Sequence, residues 1–161
     1  MIPLRDNVKQ PGSAKVTWLI ILSNIAVVVF GPGFSFTPEF LGQFALVPAS
    51  LTACDSIADY SSQIRPMFGH IFLHGGWLHL LGNMWFLRLF GSTVERRLGS
   101  GRFMLLYLAG GTAAAMTQVS VSPYSDIPMI GASGAVSGAL GAYFVLFPRA
   151  RITTLVPVFI F

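Results

Sequence analysis

The sequence predicts an all-α protein in which several helices cross a membrane. Hydrophobic residues make up 53% of its 161 residues and charged residues only 10%, whereas a soluble domain is typically about 25% charged. The apolar residues are gathered into runs, and several runs approach the roughly 20 residues that a helix needs to cross a bilayer. The basic residues lie between these runs instead of forming one face, so the net charge of +4 does not indicate a nucleic-acid partner.

The apolar runs predict a single membrane domain over residues 1–161. The small-residue cleavage pattern of a signal peptide is missing after the first run, which favours an uncleaved first span. The last run is too short to cross a bilayer, so we expect the domain to be incomplete at its C-terminal end. The predicted segments are a polar tail at 1–15, a long loop at 37–66, four full spans at about 16–36, 70–90, 103–119 and 129–147, and the start of a fifth span at 152–161.

Basic and acidic residues alternate from one connecting segment to the next. The positive-inside rule places the segments rich in Lys and Arg in the cytoplasm. We therefore expect a multi-pass protein of the cell (inner) membrane with a cytoplasmic N-terminus. The predicted cytoplasmic set is Arg5, Lys9, Lys15, Arg96, Arg97, Arg102, Arg149 and Arg151, and the predicted outer set is Glu39, Asp55, Asp59 and Asp126 against Arg65.

The second and fourth predicted spans carry polar groups, which are costly in lipid and usually serve a function. His79 and Asn83 are four residues apart and share a helix face. Ser133 lies near the start of the fourth span, and both spans enter from the outer side, so we expect the three groups at comparable depths. A helix N-terminus offers unpaired N–H groups and a positive dipole end, which suit a developing oxyanion. Acyl transfer through Ser133 is therefore a reasonable chemistry.

Two other interpretations of these polar residues remain open. Ser133 belongs to a stripe of small residues with the pattern Gly134-x-x-x-Gly138, and such stripes usually let helices pack closely. The three histidines of the second span could also supply nitrogen ligands to a metal. Their spacing does not put all three on one helix face, and the H-E-x-x-H arrangement is missing, so we expect no metal and no cofactor. These histidines are His70, His74 and His79.

Three segments follow one another in an order and spacing typical of a known family. They are His74-GGWL-His79-LLG-Asn83-Met84, Glu95-RRL-Gly99 and Gly131-Ala132-Ser133-Gly134. Together they resemble the rhomboid family of intramembrane serine proteases, and the similarity runs from the first span to the last apolar run. The resemblance implies a rhomboid-like helical bundle in the lipid bilayer that hydrolyses peptide bonds of transmembrane protein substrates.

The resemblance also implies roles for the matching residues. Ser133 matches the nucleophile. His79 and Asn83 match side chains that stabilise the oxyanion, together with the backbone N–H of Ser133. The positions that match supporting parts of the catalytic site are His74, Gly131 and Gly134.

The general base of the family has no match in this chain. Family members use a Ser–His dyad whose histidine lies on a sixth span, whereas all three histidines here fall in the predicted second span. A serine hydroxyl needs a base to be activated, so we expect this chain alone to be inactive. The alternative is a non-catalytic rhomboid-like protein that binds transmembrane helices without cutting them.

Overall fold

Residues 2–156 are described by the computed structural model, and they are mostly helical. In chain order the elements are strand β1 (Ile2–Asp6), helices α1 (Lys15–Phe30), α2 (Pro38–Phe44), α3 (Pro48–Thr52), α4 (Ile57–Ser62), α5 (Ile64–Gly69), α6 (Trp77–Phe86), α7 (Ser92–Leu98), α8 (Ser100–Val121) and α9 (Ser133–Leu146), and strand β2 (Ile152–Leu155). A 3₁₀ turn at His70–Phe72 follows α5, and a π-helical turn at Leu87–Gly91 joins α6 to α7.

Helix α8 is the one helix within residues 2–156 that has both the length and the apolar character needed to cross a membrane. Helices α1 and α9 are apolar but shorter. Helices α6 and α7 form one rod through the π-helical turn, about 33 Å long at a rise of 1.5 Å per residue. The mostly helical character of the predicted fold is confirmed, while the number of spans stays a prediction.

The second predicted span begins later than the apolar run that predicted it. The sequence predicts a span over 70–90, but the helix begins at Trp77. His70 lies in the 3₁₀ turn, and His74 lies in the irregular segment before α6. Glycine has a low helix propensity, and Gly75-Gly76 separates the turn from the helix. The prediction that all three histidines share one helix is therefore wrong, and only His79 lies on α6.

The predicted tail and the predicted fifth span meet in a two-stranded antiparallel sheet. Ile2 of β1 pairs with Leu155 of β2, and Asp6 pairs with Ile152. Residues 152–155 thus form a strand where the sequence predicts the start of a helix. Three of the four are β-branched, which favours extended structure, and β1 supplies the partner edge. Residues 157–161 of the predicted span lie outside the described residues.

The segment predicted as a long loop at 37–66 contains the three short helices α2–α4 and the start of α5. Local capping explains part of this difference. The Thr37 side chain accepts a hydrogen bond from the N–H of Phe40 at the start of α2, and Ser56 and Asp59 form a capping box at the start of α4. These helices are too short to give a hydrophobic period that can be detected in the sequence.

Small residues bring α9 into close contact with α8. A Cβ atom added at Gly138 would lie 3.1 Å from Cα of Gly110, and one added at Gly134 would collide with the methyl group of Ala114. The packing interpretation of the Gly134-x-x-x-Gly138 pattern is therefore confirmed. It does not involve the Ser133 side chain, which is exposed.

A buried carboxylate joins α7 to the first turns of α1 and α8. Glu95 accepts hydrogen bonds from the N–H groups of Val16 (2.9 Å) and Thr17 (2.7 Å) and from the hydroxyls of Thr17 (2.7 Å) and Ser100 (2.6 Å). Burial opposes ionisation of Glu95, but these hydrogen bonds outweigh it and hold the pKa of the carboxyl below its ordinary value. The negative charge also lies at the N-terminal, positive end of the α1 dipole.

Candidate active site

Ser133 is the first residue of α9, and its side chain is exposed. The N–H groups of a first helical turn have no partner within the helix, so the backbone around Ser133 is a ready site for negative charge. The sequence predicts a span from about residue 129, but the helix begins at Ser133. Residues 129–132 form a non-helical connection that is hydrogen-bonded to other segments. The N–H of Met129 donates to the carbonyl of Leu46 (2.8 Å), and the N–H of Gly131 donates to the carbonyl of His70 (2.8 Å).

His79 and Asn83 of α6 lie against the backbone of Gly131, two residues before Ser133. A Cβ atom added at Gly131 would lie 2.6 Å from both Cε1 and Nε2 of His79 and 3.8 Å from Nδ2 of Asn83. The φ angle of Gly131 is +116°, a conformation that disfavours any residue with a side chain. Glycine is therefore required here both for the backbone conformation and for the approach of the His79 ring.

His74 is fully buried behind these two side chains. Its Nε2 lies 3.1 Å from Nδ2 of Asn83, within hydrogen-bonding distance. The rings of His74 and His79 are 5.0 Å apart between centroids and inclined at 66°. Asn83 is itself 91% buried, so its carboxamide has a fixed position between His74 and the backbone of Gly131. His74 thus contacts the site from the loop that precedes α6.

Ser133 also lines a cavity of about 470 Å³ on the side of α9 that faces α8. His70 and Ser137 line the same cavity. The His70 ring is buried, and its Nε2 has no hydrogen-bond partner within residues 2–156. The sequence indicated His70 as a candidate metal ligand and did not predict its place beside Ser133, which depends on the bend at Gly75-Gly76. The pair Gly75-Gly76, which directly follows His74, is the sequence signal that could have separated His70 from helix α6.

Within residues 2–156, no group of three or more His, Cys, Asp and Glu side chains is arranged to hold a metal ion. The three histidines have different surroundings. His74 contacts Asn83, His79 contacts Gly131, and His70 lines the cavity beside Ser133.

The sequence model of the family described as "Rhomboid domain" matches residues 61–161. This chain belongs to the rhomboid family. Rhomboid proteins are integral membrane proteins, and the family includes serine proteases that act on transmembrane substrates within the membrane. The matched residues include every position that the sequence analysis assigned to the catalytic site.

Curated rhomboid proteins align with parts of the chain. It is 49% identical over 72 residues to the rhomboid protease GluP of Bacillus subtilis (strain 168), which covers 45% of this chain and 14% of that protein. It is 38% identical over 76 residues to the putative rhomboid protease YdcA of the same organism, covering 47% and 38%. It is 29% identical over 147 residues to the human mitochondrial presenilin-associated rhomboid-like protein, covering 88% and 36%. The rhomboid chain thus spans less than half the length of each of these relatives.

Proposed function

We propose that this chain forms the nucleophile and oxyanion half of a serine protease that cleaves peptide bonds of transmembrane proteins. The observation that carries the proposal is the placement of His79 and Asn83 beside Gly131, two residues before Ser133. Family membership supports the same chemistry, because rhomboid proteases are among the relatives. A packing serine would not need two hydrogen-bonding side chains beside a glycine of positive φ.

In the proposed reaction, Oγ of Ser133 attacks the carbonyl carbon of the scissile bond. Its proton passes to a general base, and the carbonyl oxygen becomes an oxyanion. The side chains of His79 and Asn83 and the backbone N–H of Ser133 would donate hydrogen bonds to that oxygen. The base then returns the proton to the leaving amine, and water attacks the acyl-enzyme in the second half of the reaction. His74 contributes by holding Asn83 in place.

The general base is the part that this chain is expected to lack. Asn83 engages Nε2 of His74, and the His79 ring lies against Gly131, so neither histidine is an obvious base for Ser133. The family resemblance assigns this role to a histidine of a later span. We therefore expect the 161-residue chain by itself to have no protease activity. His70, which shares a cavity with Ser133, is the first position to test if activity is found.

The proposed topology has four crossings and a cytoplasmic N-terminus in the cell (inner) membrane. The crossings correspond to α1, α6 with the π-helical turn that follows it, α8 and α9, within one rhomboid-like domain over residues 1–161. Ser133 and His79 lie at the ends of α9 and α6 that face the outer side in this arrangement. The substrate would therefore be cut near the outer surface of the bilayer.

The experiment compares the chain alone with a fusion to the remaining spans of the GluP relative. A fluorophosphonate probe should label the fusion at Ser133 and should label the chain alone weakly or not at all. Ser133→Ala should abolish labelling, whereas the matched Ser137→Ala, one helical turn later on the same cavity, should retain it. Strong labelling and cleavage by the chain alone, lost in His70→Ala, would overturn the assignment of the base.

The non-catalytic alternative is decided by the same fusion. A folded fusion that binds a transmembrane helix with unchanged affinity in Ser133→Ala, but is never labelled and never cleaves, would identify a binding protein. Labelling of Ser133 by the probe would exclude it.

A further inference from the structure

A polar cavity of about 360 Å³ lies between β1, α1 and the α6–α7 rod, at the end of the rod opposite His79. Arg5 lines it from β1, and Arg88 and Arg96 line it from the rod. Asp6 is the one acidic residue among the residues that line the cavity. Three guanidinium groups against one carboxylate give this cavity a net positive charge, so it suits an anion.

Asp6 accepts its hydrogen bonds from groups other than these arginines. Its Oδ2 accepts hydrogen bonds from the hydroxyls of Tyr143 (2.9 Å) and Thr93 (3.3 Å), and its Oδ1 accepts one from the N–H of Val8 (3.2 Å). Asp6 thus has three donors without any guanidinium group. The positive charge of the cavity remains available to a ligand.

The arginine side chains have few partners within the protein. In the part of the chain from 2 to 156, the one hydrogen bond donated by these three guanidinium groups joins Nη1 of Arg96 to the hydroxyl of Ser92 at 3.5 Å. The Arg88 guanidinium lies over the Trp85 ring, 5.9 Å from its centroid. An arginine fork binds phosphate oxygens in pairs, and Arg5 and Arg88 have these donors available.

Two tryptophans mark the apolar side of the cavity. The Trp85 indole N–H donates to the carbonyl of Pro3 (2.6 Å), which fixes its orientation. Trp18 is 48% exposed and lines both this cavity and an apolar hollow of about 600 Å³ along α1. Leu19 and Leu22 line that hollow and are exposed. A polar cavity that continues into an apolar surface past a tryptophan fits a ligand with a charged head and a hydrocarbon chain.

We propose that this cavity binds the phosphate headgroup of an anionic phospholipid, with one acyl chain along Leu19 and Leu22. Basic pockets between transmembrane helices commonly bind such headgroups on the cytoplasmic side, and the cavity lies beside the predicted cytoplasmic segment that contains Arg97 and Arg102. The adjacent apolar hollow favours a lipid over a soluble phosphate. The proposal rests on the membrane location of the family and does not depend on protease activity.

The test reconstitutes the full chain in nanodiscs of phosphatidylcholine that contain a fixed fraction of phosphatidylglycerol. Native mass spectrometry then counts the lipids that remain bound after release. We expect the protein to retain one phosphatidylglycerol in preference to phosphatidylcholine. Each arginine near a membrane surface contributes about a fivefold factor in affinity for anionic lipid, so the triple variant Arg5→Gln/Arg88→Gln/Arg96→Gln should lose that molecule. If the triple variant does not fold, Arg88→Gln alone should weaken retention about fivefold.

The matched control is the triple variant Arg97→Gln/Arg102→Gln/Arg149→Gln. It removes the same formal charge from positions that do not line the cavity. Retention of phosphatidylglycerol by this control supports a defined site, and equal losses in both triple variants would overturn it in favour of diffuse surface charge. Leu19→Ser/Leu22→Ser should weaken lipid retention without changing the binding of inorganic phosphate. If inorganic phosphate displaced the lipid and this double variant had no effect, the cavity would be a soluble-anion site and the lipid proposal would be wrong.

Discussion

The carboxamide nitrogen of Asn83 lies near two different groups of the site, His74 and Gly131. Its nitrogen lies 3.1 Å from Nε2 of His74, and the same nitrogen is the group of Asn83 nearest to the position of a Gly131 Cβ atom. A carboxamide nitrogen carries two hydrogens. One hydrogen can therefore be donated to His74 while the other stays available to an oxyanion.

We expect Asn83→Ala, in the fusion that supplies the base, to lower kcat far more than it raises KM. Removal of one preorganised donor typically reduces kcat about 10²–10³-fold, or about 2.7–4 kcal/mol, and the remaining donors would mask part of this loss. Steady-state cleavage of a transmembrane peptide measures both constants. The matched control is Asn24→Ala, because Asn24 is also buried but donates to the carbonyl of Ile20 within α1. An unchanged kcat in Asn83→Ala would make Asn83 a packing residue.

Gly131 allows a test that separates backbone strain from displacement of His79. Gly131→Ala should reduce cleavage strongly while the helices stay folded, because the new methyl group would displace the His79 ring. Gly12→Ala is the matched control, since Gly12 also has a positive φ but nothing within 4 Å of an added Cβ atom. Cleavage rates and circular dichroism check the two variants together. Equal losses of activity in both would show that backbone strain, and not contact with His79, is responsible.

At the scale of residues, the sequence predicts that His79, Asn83 and Ser133 lie at comparable depths, and this stays a prediction. The four-residue spacing of His79 and Asn83 predicts a shared helix face, and both side chains do lie beside Gly131, two residues before Ser133. The catalytic roles stay predictions. The bond between His74 and Asn83 could not be predicted, because it depends on an irregular segment whose path no periodic pattern describes.

At the scale of elements, hydrophobic runs predicted where helices occur better than where they begin and end. The apolar run that begins at His70 includes a turn, an irregular segment and the first part of α6. Hydrophobicity does not distinguish these, because apolar residues occur in all three. The same limit explains Ile152–Leu155, where an apolar and β-branched stretch pairs with a strand that the polar tail provides.

Glu95 is the element-scale position with a clear pH dependence. The pKa of its carboxyl is lowered in the folded protein, so its contribution to stability is full above the ordinary carboxyl pKa and is lost as the pH falls through the folded value. Glu95→Gln should lower the free energy of unfolding by about 1.5–3 kcal/mol at neutral pH, the value of hydrogen bonds to a charged group. The deficit should shrink in acid, where the native residue is also uncharged.

Thermal unfolding in detergent at neutral and acidic pH measures this effect. Asp55→Asn serves as the control, because Asp55 is exposed in the loop between α3 and α4. A Glu95→Gln protein with wild-type stability at neutral pH would mean that the links from α7 to α1 and α8 do not depend on the charge.

For the whole molecule, the single cysteine reports on orientation. Cys54 lies just after α3, in the segment predicted on the outer side, and it is 93% buried. Burial raises the pKa of its thiol, and the negative charges of Asp59 and Asp55 raise it further. An impermeant maleimide should therefore label Cys54 slowly in intact cells, and faster as the pH is raised toward the thiol pKa, because the thiolate is the reactive form.

A more reactive probe is Ala53→Cys in a Cys54→Ser background, since residue 53 is exposed. Cys54→Ser alone removes the only cysteine of the chain and measures background labelling. Labelling that appears only after the cells are opened would reverse the proposed orientation and place Ser133 toward the cytoplasm.

The pairing of β1 with β2 restricts how many times the chain can cross a membrane. Strands that pair from Ile2 with Leu155 to Asp6 with Ile152, with one irregularity between Pro3 and Arg5, must lie on the same side of a membrane. Between them the polypeptide has to return to its starting side, so the number of crossings is even. Any arrangement with three crossings, in which one apolar helix merely lies along the surface, is forbidden by parity. A small sheet of two short strands thus restricts the topology independently of any charge, hydropathy or helix length.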